Sequence, residues 1–222
     1  MARHTRICLA SCQILTLLLS LSAVLCAEEP CKGAPVAKNA SLTRRGDFYV
    51  LHMKGTWRQM GRAHGELLRE EIRMNTTQLW ETKIIPQIGR VAATILRNQT
   101  LNLRPMLPPE IKEELEGIAE GSGVPLEDLQ VACLLGGPWQ YMAGRQAEAG
   151  LGNPIRPNEC SSFAAFGRAT RNGNLIYGHN FDWVKELGLQ DRPLVAAYEP
   201  EGSQRFVTLG WAGVLYLSLI HI

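Results

Sequence analysis

The stretch CSSFAAFGRATRNGNLIYGHNFDW, residues 160–183, decides how this chain is read. Ser161 to Phe166 is a short apolar and aromatic run suited to a strand, and Leu175-Ile176-Tyr177 resumes an extended pattern. Between them, Asn172-Gly173 is a strong hairpin signal, because both central positions of a type I′ turn need positive φ. A two-residue turn there pairs position 160 with 185 and position 163 with 182. Side chains alternate along a strand, so that register sets Cys160 and Asp182 on opposite faces. A bulge or an odd-length loop within residues 167–174 brings them onto a shared face.

Upstream, residues 136–159 are punctuated by Gly136, Gly137, Pro138, Gly144, Gly150, Gly152, Pro154 and Pro157. With little usable periodicity, they read as a long loop that delivers Cys160 to the head of the hairpin. Before the loop the chain reads as helix. Pro109 suits the first turn of one that carries Ile111, Leu115 and Ile118, and Gly121-Ser122-Gly123 stops it. Pro125 opens another, with Leu126, Leu129, Ala132 and Cys133 on one side. The acids of both helices read as solvated faces. Earlier still, GDFYVLHM at residues 46–53 suits a strand ended by Gly55. Thr56 and Gln59 then have capping-box spacing for a helix whose stripe is Trp57, Met60, His64, Leu67, Leu68 and Ile72. His64, beside that stripe, reads as a core histidine more readily than as a catalyst.

The amino terminus reads as an export signal over residues 1–27. Arg3, His4 and Arg6 form a basic head, a leucine-rich stretch runs from Ile7 to Leu25, and small residues at Cys26 and Ala27 suit cleavage. A retained anchor is the competing reading, since about 20 apolar residues can span a bilayer. Asn39, Asn75 and Asn98 head Asn-x-Ser/Thr triplets, which in a secreted eukaryotic chain are glycan acceptors at the surface. Outside the presequence the cysteines are Cys31, Cys133 and Cys160. An odd count in an exported chain sets one thiol aside, and Cys31 with Cys133 is the pair that leaves Cys160 free. No His/Cys cluster has zinc spacing, and no metal is expected.

The chain has 222 residues, 45% hydrophobic and 20% charged, enough to support a packed core. Once Arg3 and Arg6 of the presequence are set aside, acids and bases balance, which excludes a nucleic-acid footprint.

Residues 160–183 resemble the start of the mature chain in penicillin acyltransferase-like amidohydrolases. These are N-terminal-nucleophile (Ntn) hydrolases related to bile-salt hydrolases and acid ceramidases. GTWRQMGRAHGELLREEI (55–72) and ELEGIAEGSGVPLEDL (114–129) look familial as well, so the resemblance covers roughly residues 46–216. It implies an α+β fold, the αββα sandwich, and a precursor that cleaves itself between Glu159 and Cys160. Residues 28–159 would form the amino-terminal chain and 160–222 the start of the catalytic chain. Phe206 to Gly213 fits the family's next strand and turn. The closing LSLIHI continues no familial pattern, and the resemblance implies further strands, so the carboxyl-terminal part is expected to be missing and this fragment poorly active.

The implied chemistry uses the Cys160 thiol as nucleophile and the freed α-amine as base. Asp182, in the G-x-N-x-D segment, would hold that amine, and Asn180 would brace the site or the substrate. His179 stands where ceramidases and bile-salt hydrolases carry arginine, a departure that favours the penicillin acyltransferase branch. No cofactor is implied. The expected activity is hydrolysis or transfer at linear N-acyl amide bonds through a thioester, on a small N-acyl amide or acyl-thioester substrate. The two processed chains would stay associated in a secreted or lysosome-like lumen, or a periplasm, without stable membrane insertion. The alternatives are a lipid-amide hydrolase resembling acid ceramidase or N-acylethanolamine amidase, and a glycosylated scaffold without activity.

Overall fold

The computed structural model describes residues 29–30, 39–150, 161–180 and 185–215. The export signal, residues 151–159 of the expected loop (Glu159 among them), Cys31, Cys160 and Asp182 lie outside the described residues. What is described is an α+β fold.

Strand β1 (Glu29–Pro30) pairs with β2 (Ala40–Arg45), which turns through Gly46-Asp47 into β3 (Phe48–Gly55). The polar ASLTRR of β2 carries no strand signal of its own; pairing with β3 makes it one. Strand β3 runs through Gly55 rather than stopping before it, and its other edge takes a parallel partner from far along the chain. This partner is β6 (Pro193–Pro200), in register from Tyr49↔Leu194 to Gly55↔Pro200. Antiparallel to β6 lies β7 (Phe206–Trp211), giving the order β1-β2-β3-β6-β7. A parallel pair needs a long crossover, and here the helices supply it. Along β6 burial alternates residue by residue, so Leu194, Ala196 and Tyr198 join Leu51 and Met53 on the covered face.

Helix α1 (Trp57–Leu67) begins with the expected capping box: Thr56 Oγ1 accepts from Gln59 N–H at 3.3 Å and Gln59 Oε1 from Thr56 N–H at 3.1 Å. After a break at Leu68 the chain continues as α2 (Arg69–Arg73), two π-helical turns (Met74–Gln78 and Trp80–Ile84), α3 (Ile85–Ile88) and α4 (Arg90–Leu101). Helix α5 (Pro109–Ser122) starts on its proline and ends on Gly123, whose φ of 74° suits a left-handed cap. Helix α6 spans Leu126–Leu134.

The α1–α5 contact is made by backbone. A Cβ on Gly61 would lie 2.1 Å from the Glu114 carbonyl oxygen, and one on Gly65 2.5 Å from that of Ile118. Reciprocally, Cβ atoms on Gly117 and Gly121 would each lie 2.2 Å from the carbonyls of Arg58 and Arg62. Two glycines four residues apart on each helix remove the side chains that would hold the axes apart. Arg58 then reaches across to Glu116, 2.8 Å away, and to Glu120.

Residues 136–148 are not loop. They form α7 (Gly136–Glu148), with Trp139 buried in a second core beside Leu135, Ile84, Leu96, Leu187 and Trp211. Pro138 sits in the first turn, where its missing N–H costs no helical bond, and burial of the tryptophan outweighs the glycine penalties of about 1 kcal/mol each. Among the described residues no helix is long and apolar enough to cross a membrane.

Candidate functional site

Strand β4 (Ser161–Gly167) and β5 (Gly173–Asn180) form the hairpin. Its register runs Ser161↔Asn180, Phe163↔Gly178 and Ala165↔Ile176, then shifts to Gly167↔Gly173. The two-residue turn at Asn172-Gly173 is therefore not made, and Phe163 opposes Gly178 instead of position 182. Residues 168–172 close the hairpin, with Thr170 Oγ1 donating to the Asn174 carbonyl at 2.8 Å. Gly167 and Gly173 carry φ of 58° and 73°. The shift between Ala165 and Gly167 is an irregularity of the bulge kind. Gly178 accommodates the Phe163 ring lying across it, since a Cβ there would meet ring atoms at 2.3 Å.

The open end of this hairpin carries the described candidates. Asn180 donates from Nδ2 to Ser161 Oγ at 3.1 Å, which ties it to the residue that follows Cys160. His179, one position earlier, alternates to the other face and shares a 2.9 Å hydrogen bond between its Nδ1 and the Tyr177 hydroxyl. The fold thus separates His179 from Asn180. Phe163, Phe166 and Ile176 stand exposed along the hairpin.

Cys133 carries a free thiol among the described residues, and Cys31, its expected disulfide partner, lies outside them. The Leu215 N–H donates to the Cys133 sulfur at 3.2 Å, and the thiol faces the Gly213 carbonyl at 3.8 Å. Burial of the sulfur pushes the thiol up to about 12, far from thiolate chemistry. Of the three sequons, Asn39 and Asn98 are exposed as expected. Asn75 departs from that pattern: it is 3% exposed and its Nδ2 donates to the Ala212 carbonyl at 3.1 Å, joining the first π-helical turn to the bend after β7.

A second constellation was hidden in the helices. A cavity of about 500 Å³ opens between α5 and the β6–β7 ladder, walled by Trp57, Ile111, Leu194, Phe206, Trp211 and Leu215. Two buried polar side chains line it. Glu114, read from sequence as solvated, is 2% exposed, and its Oε1 accepts from the Tyr198 hydroxyl at 2.8 Å. Burial raises its carboxyl to about 7, and Tyr198 is pushed well above the usual phenol range. His64 lies in the core, as its place on the α1 stripe predicts, at 1% exposure. Its Nε2 accepts from Gly213 N–H at 3.2 Å, whereas Nδ1 has no partner. Burial lowers the imidazole to about 4, so it is neutral at pH 7. No sequence signal distinguished Glu114 from its neighbours; only the depth of α5 under the sheet does.

No family model matches the sequence. Among curated proteins the chain is similar to Protein dcd1B of Dictyostelium discoideum, at 23% identity over 203 residues. The match covers 80% of this chain and 37% of that protein, so the chain spans little more than a third of its relative's length.

Proposed function

We propose that the chain is part of an autoprocessed cysteine Ntn hydrolase or acyltransferase acting on linear N-acyl amide bonds, with the αββα sandwich as its complete fold. The observation that carries this reading is the Asn180–Ser161 hydrogen bond at the open end of the β4–β5 hairpin. It pins the residue after Cys160 to the asparagine of the G-x-N-x-D segment. The exposed Phe163, Phe166 and Ile176 add support, since a second layer is what would cover them in a sandwich.

In this reading the Cys160 sulfur attacks the Glu159 carbonyl, the Glu159–Cys160 C–N bond breaks, and water hydrolyses the thioester. The freed α-amine, with an unperturbed pKa near 8, then serves as base for the same residue's thiol. During turnover the thiolate attacks the substrate carbonyl, the protonated amine returns its proton to the leaving amine, and water or an acceptor amine takes the acyl group. Asp182 steadies the charged amine and Asn180 braces the strand beside it. His179, bonded to Tyr177, keeps a supporting role on the hairpin face away from Asn180.

Processing leaves the two chains joined. Strand β3 belongs to the segment before the break and β6 to the segment after it, and their parallel ladder runs over seven residue pairs in the middle of the sheet. Purified protein should therefore resolve into two bands on a denaturing gel, the second beginning at Cys160 by amino-terminal sequencing, and elute as one particle under native conditions. Cys160→Ala should remain a single band and hydrolyse no N-acyl amide. Only uncleaved wild-type protein after prolonged incubation would remove the Ntn reading in favour of a non-catalytic scaffold. Lipid-amide substrates in the same assay separate the ceramidase-like alternative. The basic, leucine-rich presequence and the exposed Asn39 and Asn98 support a secreted or lumenal setting.

A further inference from the structure

Helix α4 departs from an ordinary amphipathic pattern on its solvent side. Ala93, Leu96 and Thr100 form its buried stripe, at 1% exposure or less. Val91 and Ile95 stand on the opposite side, 77% and 50% exposed and one turn apart. At about 100° per residue, Val91, Ile95 and Asn98 fall within about 60° of one another around the helix axis. Asn98 heads the triplet Asn98-Gln99-Thr100 and is itself exposed. Its side chain leaves the helix tilted toward the amino-terminal end, as every helical Cα–Cβ bond does, and so leans over Ile95 and toward Val91. The fold thus sets an acceptor for sugar beside two aliphatic side chains that stand in solvent.

We propose that an N-linked glycan on Asn98 lies back along α4 and shields Val91 and Ile95, the carbon–hydrogen faces of its first two pyranose rings packing on the two aliphatic side chains. Attachment joins the Asn98 amide nitrogen to the anomeric carbon of a lipid-diphosphate-linked oligosaccharide. The sugar's C1–O bond breaks, and the lipid diphosphate and one amide proton leave. The spacing suits two rings: Ile95 lies about 4.5 Å and Val91 about 10 Å from Asn98 along the axis. A protein partner is a poorer fit, because a stable dimer buries about 800 Å² on each side and two aliphatic side chains offer a small part of that. A lipid surface is poorer too, since a helix lying in it carries a broad apolar face, whereas Thr94, Asn98 and Asn102 bound this one. The inference rests on the secreted setting proposed above and is independent of the Cys160 chemistry.

Hydroxyl-radical footprinting read by peptide mass spectrometry, on the whole chain secreted from a eukaryotic host, tests it. With glycan mapped on Asn98, Val91 and Ile95 should oxidise at least threefold more slowly than in Asn98→Gln, while the exposed Phe163 and Phe166 of the hairpin oxidise equally in both. Enzymatic removal of the glycans from folded wild type should restore the faster rate. Asn39→Gln, which loses a different glycan, should keep the slow one. Equal rates with and without the Asn98 glycan would overturn the proposal. So would equally slow oxidation in Asn98→Gln, the outcome for a second copy or another partner on this face. A bare Asn98 beside a glycosylated Asn39 would overturn it and leave the secreted setting intact. Sugar on neither asparagine would remove that setting, and the proposal with it.

Discussion

At the scale of single residues, identical motifs acquire different meanings from burial. Asn39, Asn75 and Asn98 are equivalent in sequence, yet Asn75 has its amide spent on the buried Ala212 carbonyl. A glycan replaces an amide hydrogen with a sugar, for which there is no room at 3% exposure. Glycopeptide mapping of chain secreted from a eukaryotic host should find glycan on Asn39 and Asn98 and none on Asn75. Asn75→Ala should lower stability by about 1–3 kcal/mol in urea unfolding, because the Ala212 carbonyl loses its partner where water cannot replace it. Asp182 is a candidate of another kind, carried by the motif. If its carboxylate steadies the Cys160 ammonium, Asp182→Asn keeps the shape, removes the charge and lowers turnover more than tenfold, above about 1.4 kcal/mol of transition-state stabilisation. Turnover of processed Asp182→Asn enzyme within twofold of wild type would take Asp182 off the site. The capping box at Thr56 and Gln59 was legible outright, since both of its bonds are local. The burial of Glu114 was not, because residue type and spacing on α5 do not reveal which part of the helix lies beneath a sheet.

Among elements, the α1–α5 pair depends on the absence of side chains. Gly61, Gly65, Gly117 and Gly121 were legible as letters and as helix positions, but their purpose appears only when the two helices meet. Replacing a helical glycine by alanine ordinarily gains about 1 kcal/mol. At Gly117 the new methyl would sit 2.2 Å from the Arg58 carbonyl oxygen, so the helices must separate along their whole contact. Overpacking of a close interface typically costs about 1–3 kcal/mol and here opposes an immovable backbone. Gly117→Ala should therefore be destabilised by about 2 kcal/mol or more in urea midpoint measurements. Gly144→Ala on α7, where nothing lies within 4 Å, should be neutral or up to about 1 kcal/mol more stable. The hairpin teaches the complementary lesson. Its two strands were legible from β-rich runs, but the Asn172-Gly173 signal pointed to a tighter turn than the one formed, because Gly167 also adopts positive φ and the chain closes through Thr170.

For the whole molecule, the buried pair His64 and Glu114 sets how stability answers to pH. Glu114 holds its proton to about pH 7 when folded and to 4.5 ordinarily, so between those values the folded state binds more protons and stability falls as pH rises. His64 is the converse: ordinarily protonated below 6.5 but only below about 4 when folded, it makes stability rise with pH across that window. Between about pH 4.5 and 6.5 the two slopes oppose, and their joint contribution should be nearly flat. Glu114→Gln removes one of them and exposes the His64 slope. Urea midpoints of that variant should climb from pH 4 to 6.5 by an equivalent of up to about 3 kcal/mol, relative to wild type over the same range. Parallel midpoints for the two proteins across this range would show that Glu114 titrates as an ordinary carboxyl in the fold, and a flat profile for the variant would show that His64 titrates as an ordinary imidazole.

The starts of α1, α5 and α6, the stop of α5, the strand at β3 and the placing of His64 in the core follow from the sequence alone. They rest on interactions within a turn or two of chain: caps, proline starts, glycine stops and the period of the apolar stripe. The tertiary structure alone decided that ASLTRR is a strand, that residues 136–148 are helix, that the Cys133 sulfur accepts from the Leu215 N–H, that Asn75 is buried and that Glu114 and His64 line one cavity. Each of these depends on a partner far away in sequence. The β3–β6 ladder, joining residues about 145 positions apart, is the contact that brings the two segments of the chain into one sheet.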